Sequence, residues 1–495
     1  MKTTRIYIDP HFAIGVVDRR LFGGFLEHLG RAVYEGVYQP GSPQADREGL
    51  RLDVLDALRG LGLSVVRYPG GNFASGYHWL DGVGPREQRP TVRELAWQST
   101  ETNQFGTDEF IGLCTRMNWS PMLTVNLGTG TPEEARNWVE YCNCPAGTKY
   151  ADLRVANGRA NPYGVKLWCL GNEMDATWQL GHVPAEQYAL RAQQAAKMMR
   201  DADEAIELVA AGSCLPSMET YMEWDRIVLE YLGCYADYIG FHRYVGNQQA
   251  DTQDYLAVPN SIDRQIEEMD AVCRYVQAKT RSQKRTFLCF DEWNVWYKNQ
   301  KKDGAGKRAP HLLEERYNLE DALVVAGFLL SFIRHADVLK IANLAQLVNV
   351  IAPVLTVDDR CLLQTIYWPF ALVSANARGI SLITAAEGPV YRSPSYGDTP
   401  YVDSAVILDG DSLHVFLTNR SLDEDAEVEI RPAYMQFEKK HAAQVLTGPD
   451  PKAENSFDHP HQIEPQPLTG LRVKGGTATV ELPPLGFAAV CFQFV

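Results

Sequence analysis

A (β/α)8 barrel joined to an all-β sandwich is the fold class that this 495-residue sequence predicts. Three observations lead there. From about residue 20 to 380, continuous apolar runs alternate with amphipathic stretches, the pattern of parallel strands covered on both faces and of the helices that cover them. No GxGxxG or GxxxxGK[ST] follows any of these runs, so the usual signature of an open doubly wound sheet is missing. After about residue 385 the texture changes to short apolar runs separated by Gly, Pro, Asp and Asn turns, which is all-β patterning.

The elements follow in order. "TRIYIDP" and "FAIGVV" read as strands that precede the barrel. Chain ends often lie close together, so residues 1–19 are expected to join the jelly-roll-like sandwich of residues 385–495, leaving 20–384 as the barrel. The eight barrel strands are expected at "LFGGFLE" (21–27), "LSVVRYP" (63–69), "PMLTVNL" (121–127), "VKLWCLG" (165–171), "IELVAAG" (206–212), "ADYIGFH" (236–242), "TFLCFDE" (286–292) and "VLKIANL" (338–344). Between them, "DREGLRLDVLDALRGLG" repeats leucine at helical spacing and stops at Gly60 and Gly62. "TPEEARNWVEYCN" opens with Thr131, Pro132 at the first helical position and acids in the first turn. "PAEQYALRAQQAAKMMRDADEAI" and "SIDRQIEEMDAVCRYVQAKT" are two further helices, and "SAVILDGDSLHVFLTN", "AEVEIRPA" and "TATVELPPLGFAAVCFQFV" supply the sandwich.

Composition narrows the partners. The formal net charge is −15 and no basic run stands out, so the cationic footprint that nucleic acid requires is absent. Anionic membranes and polyanionic substrates are disfavoured for the same reason, whereas a neutral sugar is compatible. The longest apolar run, Ala322–Ile333, has 12 residues, too few to span a bilayer. No continuous apolar run of signal-peptide length precedes Asp18-Arg19-Arg20, so no signal peptide is expected. Ten cysteines are scattered. The one close pair, Cys142-Asn-Cys144, has no second pair at zinc spacing, so no metal ion is expected and a reduced, cytoplasmic location is.

In a barrel of this kind functional groups collect at the carboxyl ends of the strands. Seven of the eight ends carry Glu27 and His28; Arg67, then Asn72 in "YPGGN"; Asn126; Asn172 and Glu173; His242 and Tyr244; Asp291, Glu292 and Trp293; and Asn343 and Gln346. Glu173 and Glu292 each end an apolar run, where a carboxylate costs free energy unless something binds or pairs with it. Two carboxylates facing one pocket suit glycoside hydrolysis, because the leaving oxygen needs a proton and the anomeric carbon needs a nucleophile or an activated water. Amides and His242 can bond sugar hydroxyls, Trp97, Trp178 and Trp296 can cover an apolar sugar face, and Arg67 can keep one carboxylate ionised. That set implies no cofactor. Taken singly, Asn72 reads equally as a turn residue, His242 as a core histidine, Trp293 and Trp296 as packing, and Asp291 as a supporting or capping acid. A metal-dependent barrel hydrolase would need a His/Asp set at the strand ends, yet the one HxH, His459-Pro-His461, lies in the turn-rich C-terminal region. A β-xylosidase or β-glucanase on the same fold, or a sugar-binding protein without catalysis, stays open at this level.

Longer blocks are more specific. "FGGFLEHLGRAVYEGVY", "VVRYPGGNFASGYHWLDGVGP", "WCLGNEMDATWQLGH", "GFHRY" and "FDEWNVWY" resemble, in order, the α-L-arabinofuranosidases of glycoside hydrolase family 51, and the flanking β segments extend the resemblance to essentially the whole chain. The Asn-Glu pair is common to many barrel glycosidases; the glycine-rich block discriminates. The resemblance implies an exo-acting, retaining enzyme that removes terminal non-reducing α-L-arabinofuranosyl residues from arabinoxylan- or arabinan-derived oligosaccharides. Glu173 would be the general acid/base and Glu292 the nucleophile. Glu27, Arg67, Asn72, Asn172, His242, Tyr244 and Gln346 would bind the sugar or support the two glutamates, with Trp97 nearby. It also implies a cytoplasmic homo-oligomer, a hexamer. Those roles call for a raised pKa at Glu173, an ionised Glu292, and carboxyl groups about 5–5.5 Å apart. The polar loop "KNQKKDGAGKRAPHLLEERYNLEDA" is expected to shape leaving-group specificity, and the last domain to buttress the barrel.

Overall fold

The computed structural model describes residues 1–299, 305–434 and 436–494. Eight strands form a closed parallel barrel: Gly23–Phe25, Val65–Tyr68, Ser120–Val125, Leu167–Leu170, Glu207–Ala211, Tyr238–Val245, Phe287–Val295 and Leu339–Ala345. Each falls on an expected run. Their inward side chains, among them Val65, Met122, Leu167, Val209, Tyr238 and Ile341, fill the interior, while Val66, Leu123, Trp168, Leu208 and Phe290 face the helices. Both faces are apolar, hence the continuous runs. The seventh strand breaks strict alternation. Cys289 pairs with Gly240 and Glu292 with His242, so three steps on one strand match two on its neighbour. That bulge re-aims the chain and lets the adjacent residues Asp291 and Glu292 both reach the site.

Helices follow the strands with the caps the sequence predicts. Leu52–Leu61 ends at Gly62, whose φ of 67° suits glycine. Pro132–Asn143 starts at Thr131, whose hydroxyl accepts the Glu134 N–H at 3.0 Å. The apolar run Ala322–Ile333 belongs to the helix Leu319–Arg334, which is buried on every side between the barrel and the C-terminal sheet. Among the described residues, no helix is long and apolar enough to cross a membrane.

The C-terminal sheet has ten strands, with Lys2–Val16 between Ile380–Glu387 and Ala426–Pro432. Among the described residues of this sheet, the pairing with Ala426–Pro432 is the parallel one and the others are antiparallel. Its two arms enclose one core of Ile6, Ile8, Val406, Val415, Ile430, Val480 and Val490, which makes the sheet a sandwich. The N-terminal segment is one strand of 15 residues where the sequence predicts two. The interruption is a register irregularity between Ile8 and Ala13. Pro10, which has no N–H for the ladder, sits inside it.

Candidate active site

Glu27 leaves the first barrel strand with its side chain in the barrel mouth. Its Oε1 accepts the Phe73 N–H at 2.9 Å and the Trp97 indole N–H at 3.1 Å; its Oε2 accepts Gln346 Nε2 at 3.2 Å, and its own N–H donates to Gln346 Oε1 at 2.9 Å. After the second strand the Tyr68–Pro69 peptide is cis and Gly70-Gly71 brings the main chain between two acids. A Cβ on Gly71 would lie 3.0 Å from Glu27 Oε2 and 3.2 Å from Glu292 Oε1. A side chain there would press on both carboxylates.

Arg67 ties the strand ends together. Fully buried, it donates from Nη1 to Glu292 Oε1 and from Nη2 to Asn172 Oδ1, both at 2.7 Å, and lies 3.4 Å from Asp291 Oδ2. The Tyr244 hydroxyl donates to Glu292 Oε2 at 2.8 Å. Glu173 stands at a left-handed φ of 45° just past the fourth strand. It accepts the Trp178 indole N–H at 2.8 Å and a bond from His242 Nδ1 at 2.9 Å. His242 Nε2 faces Asp291 Oδ1 at 3.3 Å. With a carboxylate at each nitrogen the ring carries both protons. Asn172 Nδ2 reaches Asn72 Oδ1 at 3.4 Å.

These groups surround a cavity of about 280 Å³, at the small end of ligand sites, which run from about 300 to 1,000 Å³. Of the sequence-predicted residues, Glu27, Asn72, Trp97, Glu173, Tyr244, Glu292, Trp296 and Gln346 line it. Arg67 and His242 lie beneath and hold the Glu292 and Glu173 carboxylates, and Asn172 bonds Arg67 and Asn72. Three other strand-end residues turn away. His28 faces Tyr68 Oη at 2.7 Å, Asn126 bonds Tyr77 O and Thr129, and Asn343 contacts Met122. Trp293 packs against Phe328 and Phe332, so the packing alternative holds for it.

Trp178, proposed from sequence only as an aromatic cover, stands at the mouth, 53% exposed. The apolar wall of Leu29, Leu215, Leu313 and Ile351 was not legible, because it comes from loops whose course no periodicity announces. Residues 300–304 of the loop expected to shape leaving-group specificity lie outside the described residues; Leu313 is its described contribution to the wall.

The charges interact strongly. Burial and the Glu292 charge push Glu27 up to about 8, against the Phe73 and Trp97 N–H groups. Burial pushes Glu173 up as well, but the His242 bond and charge, the Trp178 N–H and Arg67 outweigh it and leave Glu173 below the ordinary carboxylate range. Burial raises Glu292, with Glu173 and Asp291 adding to it, in spite of His242 and Arg67. These directions are the reverse of the sequence-based expectation for the two glutamates. For Glu292 the cause is burial; for Glu173 it is His242, whose own pKa stands well above the usual value: burial opposes the rise, and the Glu292 and Asp291 charges and the bonds to Asp291 and Glu173 overcome it.

By distance alone Glu173, His242 and Glu292 could each offer an atom to one metal ion, these atoms lying within 4.8 Å of one another. His242 Nδ1 and the Glu173 carboxylate are already engaged with each other. His459 and His461 lie on an exposed turn, where His461 pairs with Glu464.

Comparison with known proteins adds the lineage. The profile of the α-L-arabinofuranosidase 1 domain matches residues 57–260, and that of the α-L-arabinofuranosidase C-terminal domain matches residues 291–486. The chain is 43% identical to an intracellular exo-α-(1→5)-L-arabinofuranosidase of Bacillus subtilis, over 99% of each. A family 51 α-L-arabinofuranosidase from Bifidobacterium longum superposes with a TM-score of 0.96 at 36% identity, covering 99% of both chains. The α-L-arabinofuranosidase of Thermotoga maritima, solved as an arabinose complex, gives 0.88 at 32% identity over 99% of this chain and 100% of that one. From its barrel, its paired glutamates and these relatives together, this chain belongs to the family 51 α-L-arabinofuranosidases.

Proposed function

We propose that the chain is a retaining, exo-acting α-L-arabinofuranosidase that releases terminal non-reducing arabinofuranosyl residues from arabinan- and arabinoxylan-derived oligosaccharides. The observation that carries the proposal is the meeting of Glu173 and Glu292 across one small cavity, with a carboxylate oxygen of each within 4.8 Å of the other. Direct displacement works at about 5–5.5 Å, whereas an interposed water needs about 6.5–9.5 Å. A cavity of this small volume, lined by Glu27, Asn72 and Gln346 together with the apolar Leu29, Leu215, Leu313 and Ile351, supports a single terminal sugar as the occupant. Glu292 attacks the anomeric carbon while Glu173 gives its proton to the leaving oxygen. Glu173 then takes a proton from the water that cleaves the glycosyl-enzyme. His242 Nδ1, 2.9 Å from Glu173 Oε1, supplies the acid proton: transfer along that bond leaves a neutral imidazole and a protonated Glu173.

The same proposal includes a division into units at 1–19, 20–384 and 385–495, supported by the pairing of Lys2–Val16 with Ile380–Glu387 and Ala426–Pro432. It also includes a cytoplasmic location, supported by the name of the Bacillus relative, and a homo-hexamer, which rests on family membership.

The test is hydrolysis of 4-nitrophenyl α-L-arabinofuranoside beside the β-D-xylopyranoside, for wild type, Glu173→Ala and Glu292→Ala, each with azide. The arabinoside should be preferred and both variants inactive. Azide should restore turnover with retained configuration in Glu173→Ala, where it replaces the water, and with inverted configuration in Glu292→Ala, where it replaces the nucleophile. Full activity in either variant refutes its role, and preference for the xyloside refutes the substrate.

A further inference from the structure

Two apolar residues of the cavity wall, Trp296 and Leu313, come from opposite ends of the loop that follows the seventh barrel strand. One carboxylate joins them. Glu315, wholly buried, accepts three consecutive main-chain N–H groups: Tyr297 at 2.9 Å and Lys298 at 2.7 Å on Oε1, and Asn299 at 2.7 Å on Oε2. The Asn299 carbonyl in turn accepts the Trp296 indole N–H at 2.9 Å. On the other side the Glu315 N–H donates to Leu313 O, and Leu313 is held at a left-handed φ of 51° while its carbonyl also accepts the N–H of Ile351, a third wall residue, at 2.8 Å. Trp296 stands edge-on to Tyr244 at 5.6 Å, and Tyr244 donates to Glu292. A buried carboxylate that gathers three N–H groups is a strong local anchor, and the two-oxygen arrangement leaves no place for an amide, whose NH2 would face the Asn299 N–H.

We propose that Glu315 is a positioning residue that sets the width of the sugar pocket, by fixing Trp296 and Leu313 as one wall, and so selects a five-membered over a six-membered ring. The proposal rests on the functional assignment above. Glu315 touches neither substrate nor the two glutamates; it acts through the wall.

The test compares wild type, Glu315→Gln and Glu315→Asp on the 4-nitrophenyl α-L-arabinofuranoside and β-D-xylopyranoside, with circular dichroism to establish folding. In Glu315→Gln, KM for the arabinoside should rise about tenfold with kcat within about threefold, and the arabinoside-to-xyloside ratio of kcat/KM should fall about tenfold. Glu315→Asp, which keeps the charge but falls short by one methylene, should lie between. A folded Glu315→Gln with unchanged KM and ratio overturns the proposal, as does a fall in kcat alone. If Glu315→Gln fails to fold, Glu315→Asp decides by the same two readouts. A wild type that does not cleave the arabinoside overturns the functional assignment, and the inference with it; a wild type that does, with variants that keep its ring preference, overturns the inference alone.

Discussion

Replacing Arg67 by Met should move the pH profile in a direction the geometry fixes. Arg67 is wholly buried and donates to Glu292 at 2.7 Å. Charge centres about 4 Å apart at an effective dielectric constant of about 20 attract by about 4 kcal/mol, which corresponds to about 3 pKa units. Tyr244 and His242 stay on the same carboxylate, so that figure is an upper bound. The sign follows from the chemistry. The nucleophile of the proposed cycle, Glu292, must be ionised; it already stands above its ordinary value, and loss of a cation raises it further. The acidic limb of kcat/KM should therefore shift to higher pH, and at pH 5.5 activity should fall by about 10²- to 10³-fold, recovering in part as pH rises. Arg67→Lys should fall between, because an ammonium cannot serve Glu292 and Asn172 in one planar fork. The assay is hydrolysis of 4-nitrophenyl α-L-arabinofuranoside from pH 4 to 9, with urea unfolding as a control, since breaking a buried pair also costs about 3–5 kcal/mol of stability. A folded Arg67→Met whose acidic limb stays in place would falsify the assignment of Arg67 as the counter-charge of the nucleophile.

Two other substitutions test neighbouring contacts. Glu27 binds its proton up to about pH 8 when folded and only to about 4.3 when unfolded. The folded state therefore holds more protons between those values, and stability should decline as pH rises through that window, by at most about 1.4 kcal/mol per pH unit. Glu27→Gln should flatten the decline in urea midpoints between pH 5 and 8; an unchanged slope refutes the burial argument. Trp178→Phe removes the indole N–H from Glu173 and should raise the Glu173 pKa by about half a unit to one unit. As the acid of the proposed cycle Glu173 must be protonated, so the basic limb of kcat should move up by the same amount, and a downward movement would show that Trp178 acts otherwise.

The sequence carried the barrel because strand burial is a local property: a run such as Leu167–Leu170 is apolar on both faces wherever it lies in the chain. Glu173 and Glu292 were legible for the same reason, as charges ending such runs. Three features were not. The bulge that turns Asp291 and Glu292 to one side depends on how the seventh strand pairs with its neighbours, and a single chain segment does not encode its register. The wall of Leu215, Leu313 and Ile351 comes from loops, where Leu313 and Ile351 take left-handed conformations that no Gly or Asn advertises. The third is the direction of the two glutamate pKa values. The residue list placed Arg67 near a carboxylate, but Glu292 is raised by burial, and what sets Glu173 apart is His242, at 2.9 Å from it and 3.6 Å from Glu292. That asymmetry of less than 1 Å exists only in three dimensions.

The same asymmetry explains why a lowered Glu173 serves an acid. Below about pH 8 Glu27 is neutral, and Glu173, Asp291 and Glu292 face two cations, Arg67 and His242. At most one negative charge is then unbalanced. In the proposed cycle the first step takes a proton out of the pocket with the leaving group and adds a glycosyl cation to Glu292. The net charge does not change; the negative charge moves from Glu292, beside Arg67, to Glu173, beside the Trp178 N–H. That donor, which holds the ionised form of Glu173 before reaction, receives its charge after it, while His242 stays neutral until a proton returns to it. The same contacts make Glu173 a stronger acid at the cost of needing His242 to load it. A site that raised Glu173 by burial alone would hold the proton more readily but would meet the developing carboxylate with no partner.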